Sequence, residues 1–159
     1  MLKEQVNNYT DFVRGQKYMS GVERNSYRIK ATAEVFTPTK AVQEVLSKFP
    51  KESFSENQEF LDPACGDGQF LSEIVIEKLT ISDFSLEEIL KETFGIDIMK
   101  DNIDLCIKRL AGPEPNEEIL KILKENIICA DALDKNHEGW KKVGYMWNPD
   151  YNLDITSFF

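Results

Sequence analysis

The sequence is poor in histidine and cysteine and lacks any long apolar run. Its 159 residues include one histidine, His137, and three cysteines, Cys65, Cys106 and Cys129. The cysteines share no CxxC spacing and His137 could not complete a zinc site with them, so we expect no metal centre. No apolar stretch approaches the roughly 18 residues of a membrane-spanning helix. We therefore expect no membrane partner.

Positive charge is also in short supply. Lysine and arginine total 19 against 28 aspartates and glutamates, a formal net charge of -9. Nucleic-acid-binding proteins usually carry a basic face, so this acidic net charge argues against binding of a nucleic acid by the chain on its own. The first residues, MLKEQVNNYTDF, lack the basic and apolar regions of a secretory signal. We expect a cytoplasmic protein with reduced cysteines.

The composition, 42% hydrophobic and 30% charged, is typical of a folded protein. The length suits one core rather than two ordinary domains. We divide the chain into an N-terminal helical segment, 1–30, and one main domain, 31–159.

Helical spacing of apolar residues marks the first part of the chain. Residues 2–19 are predicted to form a helix with one apolar side made of Val6, Tyr9, Phe12 and Val13. A basic connector, 20–30, follows. A second helix is predicted to start at Thr37-Pro38 and to stop before Pro50, with one face made of Val42, Val45, Leu46 and Phe49. Residues 51–58 are predicted to be a polar linker.

From residue 59 onwards, short apolar runs alternate with helical stretches. The runs predict strands at 59–63, 93–99, 126–133 and 142–147, and helices are predicted at 68–79, 84–92, 101–110 and 116–125. Strands separated by helices indicate a parallel sheet with right-handed crossovers, and hence a Rossmann-like α/β fold.

Ligands of such sheets bind beyond the carboxyl ends of the strands. The string DPACGDGQFL follows the first predicted strand, and Gly66 and Gly68 allow a tight turn close to a ligand. Asp62 at the strand end disfavours a pyrophosphate but suits a cationic ligand, such as a sulfonium or an amino group. A plain strand-to-helix turn is the alternative.

Two further acids end predicted strands. Asp97, in FGIDI, could accept hydrogen bonds from ribose hydroxyls, or could instead serve the start of the next helix. Asp131, in NIICAD, could accept a bond from an adenine amino group. Near the end of the sequence stands Asn148-Pro149-Asp150-Tyr151, where Asn-Pro also commonly starts an ordinary turn.

Taken in order, AEVFTP, LDPACGDGQFL, GIDI, ICADAL and NPDY resemble the amino-type, N6-adenine DNA methyltransferases. The resemblance covers roughly residues 31–152. It implies a class I methyltransferase fold, S-adenosylmethionine as cofactor and DNA as substrate. It also implies that the methionine end of the cofactor is closed over by Phe36, Thr37 and Pro38. The cofactor loop would comprise Asp62, Cys65, Gly66 and Gly68.

The remaining roles are carried over in the same way. Asp97 would hold the ribose, Ile98 would lie against the adenine, and Asp131 and Ala132 would line its amino edge. Asn148 and Pro149 would accept hydrogen bonds from the target amine, and Tyr151 would stack on a flipped base.

The sequence departs from this family in two places. Asp150 replaces the second proline of the catalytic tetrapeptide, which frees the backbone and adds a negative charge. The given sequence ends eight residues after Tyr151, whereas a complete sheet would add three more strands and a target-recognition region. We therefore expect a second copy or a partner subunit to cover the open sheet edge and to help with DNA.

Three functions remain open at this point. The first is an adenine methyltransferase, or its cofactor-binding part. The second is a catalytically inactive binding or regulatory module, and the third is a methyltransferase that acts on protein glutamine or RNA.

Overall fold

The computed structural model describes residues 3–16 and 37–134. Its centre is a parallel sheet of three strands, β1 (Phe60–Asp62), β2 (Thr93–Asp97) and β3 (Ile127–Cys129), in that order. Asp62 lies opposite Gly95, and Asp97 lies opposite Cys129. Each neighbouring pair therefore runs in the same direction and ends at a common edge.

Six α-helices and one 3-10 helix surround the described strands. The α-helices are α1 (Lys3–Gly15), α2 (Thr39–Leu46), α3 (Gln69–Ile81), α4 (Leu86–Lys91), α5 (Lys100–Ala111) and α6 (Glu117–Asn126). The 3-10 helix spans Lys51–Phe54. Helices α3 and α4 connect β1 to β2, while α5 and α6 connect β2 to β3, so the predicted α/β alternation is confirmed for these three strands.

Local sequence explains two of the helix starts. Ser85 and Glu88 form a reciprocal capping box at α4. The Asn116 side chain accepts the Ile119 N–H at 2.8 Å at the start of α6. Both helices therefore begin where a side-chain oxygen satisfies a backbone donor that the helix itself leaves unpaired.

Helix α3 is the central helix of the core. It contacts α1, α2, α4, α5 and the first two strands, and Leu71 and Val75 on it are fully buried. Helix α1 joins the same core, because Tyr9 and Val13 are buried in it and the Tyr9 hydroxyl donates to the Leu110 carbonyl at 3.1 Å. The predicted apolar side of α1 is confirmed.

The stretch before β1 differs from its prediction. Helix α2 starts at Thr39, with Pro38 at its N-cap, and ends at Leu46. Val45 and Phe49 are 42% and 46% exposed, so they do not share the buried face of Val42 and Leu46. The helix is shorter than its apolar spacing suggested, because the 3₁₀-like turn after Leu46 rotates Phe49 outwards.

The predicted polar linker at 51–58 is wrong for its first half. Residues Lys51–Phe54 form the 3-10 helix, and Phe54 is buried. Its ring stacks on Phe60 of β1 with centroids 5.6 Å apart. The Phe54 ring therefore packs this otherwise polar segment against the core.

Within the described residues no helix is long and apolar enough to cross a bilayer. The predicted connector at 20–30 and the predicted fourth strand at 142–147 lie outside the described residues.

Candidate functional site

The loop after β1 turns back onto the neighbouring strand. The Asp62 Oδ1 atom accepts the Ala64 N–H at 3.1 Å, which starts the turn. The Cys65 N–H then donates to the Ile96 carbonyl of β2 at 2.9 Å. The loop is thereby held at the carboxyl edge of the sheet, where a ligand of an α/β fold is expected.

Both glycines of the loop have the left-handed backbone that favours glycine. Gly66 has φ 53° and Gly68 has φ 86°. A Cβ atom on Gly68 would lie 2.8 Å from the Cys106 Sγ atom of α5. The second glycine is therefore required both by its conformation and by the close approach of the loop to α5.

Asp97, at the end of β2, binds the glycine loop directly. Its Oδ2 atom accepts the Gly66 N–H at 3.0 Å, while its Oδ1 atom accepts the Met99 N–H at 2.7 Å and the Asn102 amide at 3.3 Å. Asp97 therefore supports the start of α5, which was the alternative role predicted for it, and it also binds the glycine loop.

Asp131 stands two residues after the end of β3. The Ala130 N–H donates to the Asp97 carbonyl at 3.0 Å, which places the end of β3 beside the end of β2. The exposed Asp131 closes a turn by accepting the Leu133 N–H at 2.8 Å, and Ala132 is half-buried within that turn. The ends of the three strands therefore form one rim.

Charge accumulates at this rim. Burial is the main cause that raises the pKa of the Asp62 carboxyl; the bond from Ala64 lowers it, and the negative Asp97 raises it again. The pKa of the Cys65 thiol is raised by its hydrogen bond with Cys106, by burial and by both carboxylates. Asp62 and Asp97 are therefore close enough for the charge of one to disfavour the charge of the other.

Two apolar side chains stand exposed beside the acids. Ile98, next to Asp97, is 62% exposed, and Leu133, two residues after Asp131, is 92% exposed. Both side chains follow the carboxyl ends of adjacent strands, and exposed apolar groups beside polar ones are typical of a surface that contacts a ligand.

The other predicted site residues are placed only in part. Thr37 is half-buried and Pro38 exposed, at the start of α2. Phe36 lies outside the described residues, as do Asn148, Pro149 and Tyr151. The structure brings together the five predicted residues Asp62, Cys65, Gly66, Gly68 and Asp97, with Ile98, Asp131 and Ala132 alongside.

A buried ion pair that the sequence did not reveal supports the loop. Asp67, between the two glycines, accepts a bond from Arg109 of α5 at 3.1 Å, and both side chains are almost completely buried. An acid between two glycines is only a weak sign of a buried ion pair, because the sequence does not show which basic residue will pair with it. The partner, Arg109, lies 42 residues away.

Two grooves lie at opposite ends of the described core. A groove of about 520 Å³ runs beside the rim, lined by Lys100, Ile103, Ile128 and Cys129 among others. Another of about 680 Å³ lies at the opposite ends of α3 and α5, where Tyr9 and Leu79 line it. Within 3–16 and 37–134 no cluster of three or more His, Cys, Asp or Glu residues has the arrangement of a metal site.

The chain matches no protein-family model, no curated protein and no solved structure.

Proposed function

We propose that this chain is the cofactor-binding part of an S-adenosylmethionine-dependent N6-adenine DNA methyltransferase with a Rossmann-like, class I fold. The observation that carries the proposal is the bond from the Gly66 N–H to Asp97 Oδ2, which joins the glycine loop of one strand to the acid of the next at 3.0 Å. It fits a ligand that needs a tight loop and a ribose acceptor in one place.

The charge of the rim favours a cation over a phosphate. Asp62 is a desolvated carboxylate beside a second carboxylate, an arrangement that repels a pyrophosphate and gains from a positive ligand. S-adenosylmethionine carries both a sulfonium and an ammonium group. The residues present therefore fit its charged end.

The adenosine end fits equally well. A carboxylate has about four acceptor positions, and three at Asp97 are occupied by Gly66, Met99 and Asn102. One position remains for a ribose hydroxyl, a narrower role than the two bonds that the sequence suggested. Ile98 then lies where an adenine ring would need an apolar surface, with Asp131 at its polar edge.

Methyl transfer would use residues beyond the described part. In the proposal, Asn148 and Pro149 accept hydrogen bonds from the adenine amine and draw its lone pair towards the methyl group, while Tyr151 stacks on the base. Because the chain has a net charge of -9, DNA binding would require a basic surface from another region or chain.

Calorimetry with S-adenosylmethionine tests the cofactor step. We expect binding to the wild-type chain and its loss in Asp62→Ala, with Glu118→Ala, at an exposed position of α6, as a control. Failure of the wild type to bind at millimolar ligand would overturn the proposal for this chain.

A second candidate is a catalytically inactive module that retains the cofactor fold. Asp150 in the tetrapeptide favours it, because an acid replaces the rigid proline next to an incoming polyanion. Transfer of a labelled methyl group to duplex DNA, with and without co-expressed partner chains, separates the two. Incorporation by the wild-type chain would support the enzyme, whereas no incorporation under any condition would support the module. Activity that appears only in Asp150→Pro would also support an inactive wild type, with the loss of the second proline as its defect.

A further inference from the structure

A buried carboxylate joins three helices near the glycine loop. Glu73, in the second turn of α3, is 3% exposed. Arg14 of α1 donates to both of its oxygens, from Nε at 3.1 Å and from Nη2 at 2.7 Å. Gln43 of α2 donates to Oε2 at 3.0 Å. Two side chains from separate helices therefore satisfy one acid from a third.

The bond between Gln43 and Glu73 lies near the start of both α2 and α3. Gln43 is four residues from the start of α2, and Glu73 is four residues from the start of α3. At 1.5 Å per residue, the contact lies about 6 Å from each helix start. The glycine loop precedes α3, and Thr37 and Pro38 precede α2, so the contact links the second turn of the helix after one segment to the second turn of the helix after the other.

A charged contact of this kind specifies geometry more than it adds stability. Burying a carboxylate costs free energy that its partners must offset, and an apolar pair of the same shape would pack α1 and α2 on α3 without that cost. The paired bonds from Arg14 fix the orientation of the Glu73 carboxylate. That orientation in turn decides where Gln43, and with it the start of α2, can lie.

We propose that Glu73 is a positioning residue that holds Thr37 and Pro38 at the cofactor loop, and so sets affinity for the methionine end of the cofactor. This inference rests on the proposed function. It assigns a role to α1 as well, because Arg14 orients the acid without being near the ligand loop in sequence.

Two ligands separate this role from general stability. S-adenosylmethionine carries the methionine end, while 5′-methylthioadenosine shares the adenosine part but lacks that end. We expect Gln43→Ala to weaken S-adenosylmethionine binding about tenfold, the effect of one hydrogen bond, and to leave 5′-methylthioadenosine binding unchanged. Glu73→Gln should act in the same direction, and Glu44→Gln, on the exposed side of α2, should change neither affinity.

A ligand-free measurement gives a second readout. The Ala41 and Val42 amides bond to the Pro38 carbonyl at the start of α2. In Gln43→Ala we expect both amides to exchange with deuterium faster than in Glu44→Gln. Because Gln43 is exposed, this variant should fold even if Glu73→Gln does not.

The outcomes distinguish the two proposals. If the wild type binds both ligands and Gln43→Ala weakens both equally or neither, the role of Glu73 is refuted while the cofactor site stands. If the wild type binds neither ligand, the proposed function fails and this inference fails with it.

Discussion

The Gly66 backbone N–H donates to the Asp97 carboxylate at 3.0 Å across the ends of two parallel strands. This bond ties the conformation of the glycine loop to the acid of the neighbouring strand. Since Met99 and Asn102 bind the other oxygen of Asp97, the carboxylate is an acceptor for both the loop and the start of α5. Two structural demands therefore meet on one side chain, and a ribose hydroxyl would add a third in the proposed function.

Replacement of Asp97 by asparagine should destabilise the protein. The asparagine side chain has one acceptor oxygen, whereas the aspartate has two, and three donors converge on this position. The NH₂ group of the asparagine would therefore face at least one donor without an acceptor. We expect a loss of about 2 to 3 kcal/mol in the free energy of unfolding, measured by urea denaturation. The control is Asp104→Asn, which removes only the exposed ion pair with Lys100 and should change stability by less than about 0.5 kcal/mol. Equal effects in the two variants would contradict this account.

The corresponding substitution of Asp62, on the neighbouring strand, should have the opposite effect and stabilise the protein at neutral pH. Burial raises its pKa above the ordinary value of 3.8, so the folded protein holds this proton more tightly than the unfolded chain. Stability from this group is lost as pH rises from 3.8 through the folded pKa. Asp62→Asn keeps an oxygen for the Ala64 N–H, and we expect it to raise the melting temperature at pH 7 but not at pH 3.

The same substitution should weaken binding of the proposed cofactor, S-adenosylmethionine. Without the carboxylate, affinity for S-adenosylmethionine should fall about 10- to 100-fold, the effect of one charge-assisted bond. In the wild type, affinity should rise with pH through the folded pKa of Asp62, and that dependence should vanish in the variant. Calorimetry over this pH range measures both. A variant that is less stable at pH 7 would show that Asp62 supports the fold instead.

Periodicity alone predicted most of the described fold. The three strands were found because each contains a short apolar run, as in EFLDP and NIICAD. Only β2 is largely buried, whereas β1 is half-buried throughout and β3 ends exposed. Helices such as α5 were found because Ile103 and Leu110 recur on one face and are buried together. Strand ends then indicated Asp62, Asp97 and Asp131, since the carboxyl ends of neighbouring parallel strands share an edge.

Long-range polar contacts could not be predicted in this way. The partner of Glu73 lies 59 residues away at Arg14, and Asp67 is paired with Arg109. Each of these residues would pass for an ordinary surface charge, because pairing across the core leaves no periodic trace in the sequence. Only the folded topology brings such pairs together.

Phe54 provides a test of the segment that was predicted to be a linker. The ring is buried and stacked on Phe60, so Phe54→Ala should cost about 3 to 5 kcal/mol. Phe49, five residues earlier, is 46% exposed, and Phe49→Ala should cost less than about 1 kcal/mol. Guanidinium denaturation compares the two variants. Similar losses would mean that the 3-10 helix does not dock its aromatic residue on β1.

Gly68 should tolerate no side chain, for two separable reasons. Its φ of 86° costs an L-residue about 1 to 2 kcal/mol, and a Cβ atom would lie 2.8 Å from Cys106 Sγ. We expect Gly68→Ala to lose about 2 to 4 kcal/mol of the free energy of unfolding in total.

Gly15→Ala is the control, because nothing lies within 4 Å of that position, and it should be neutral or slightly stabilising. Combining Gly68→Ala with Cys106→Ala removes the clash but keeps the strain, so the double variant should lose less than the sum of the single variants. Additive losses in urea denaturation would show that the backbone conformation alone requires this glycine.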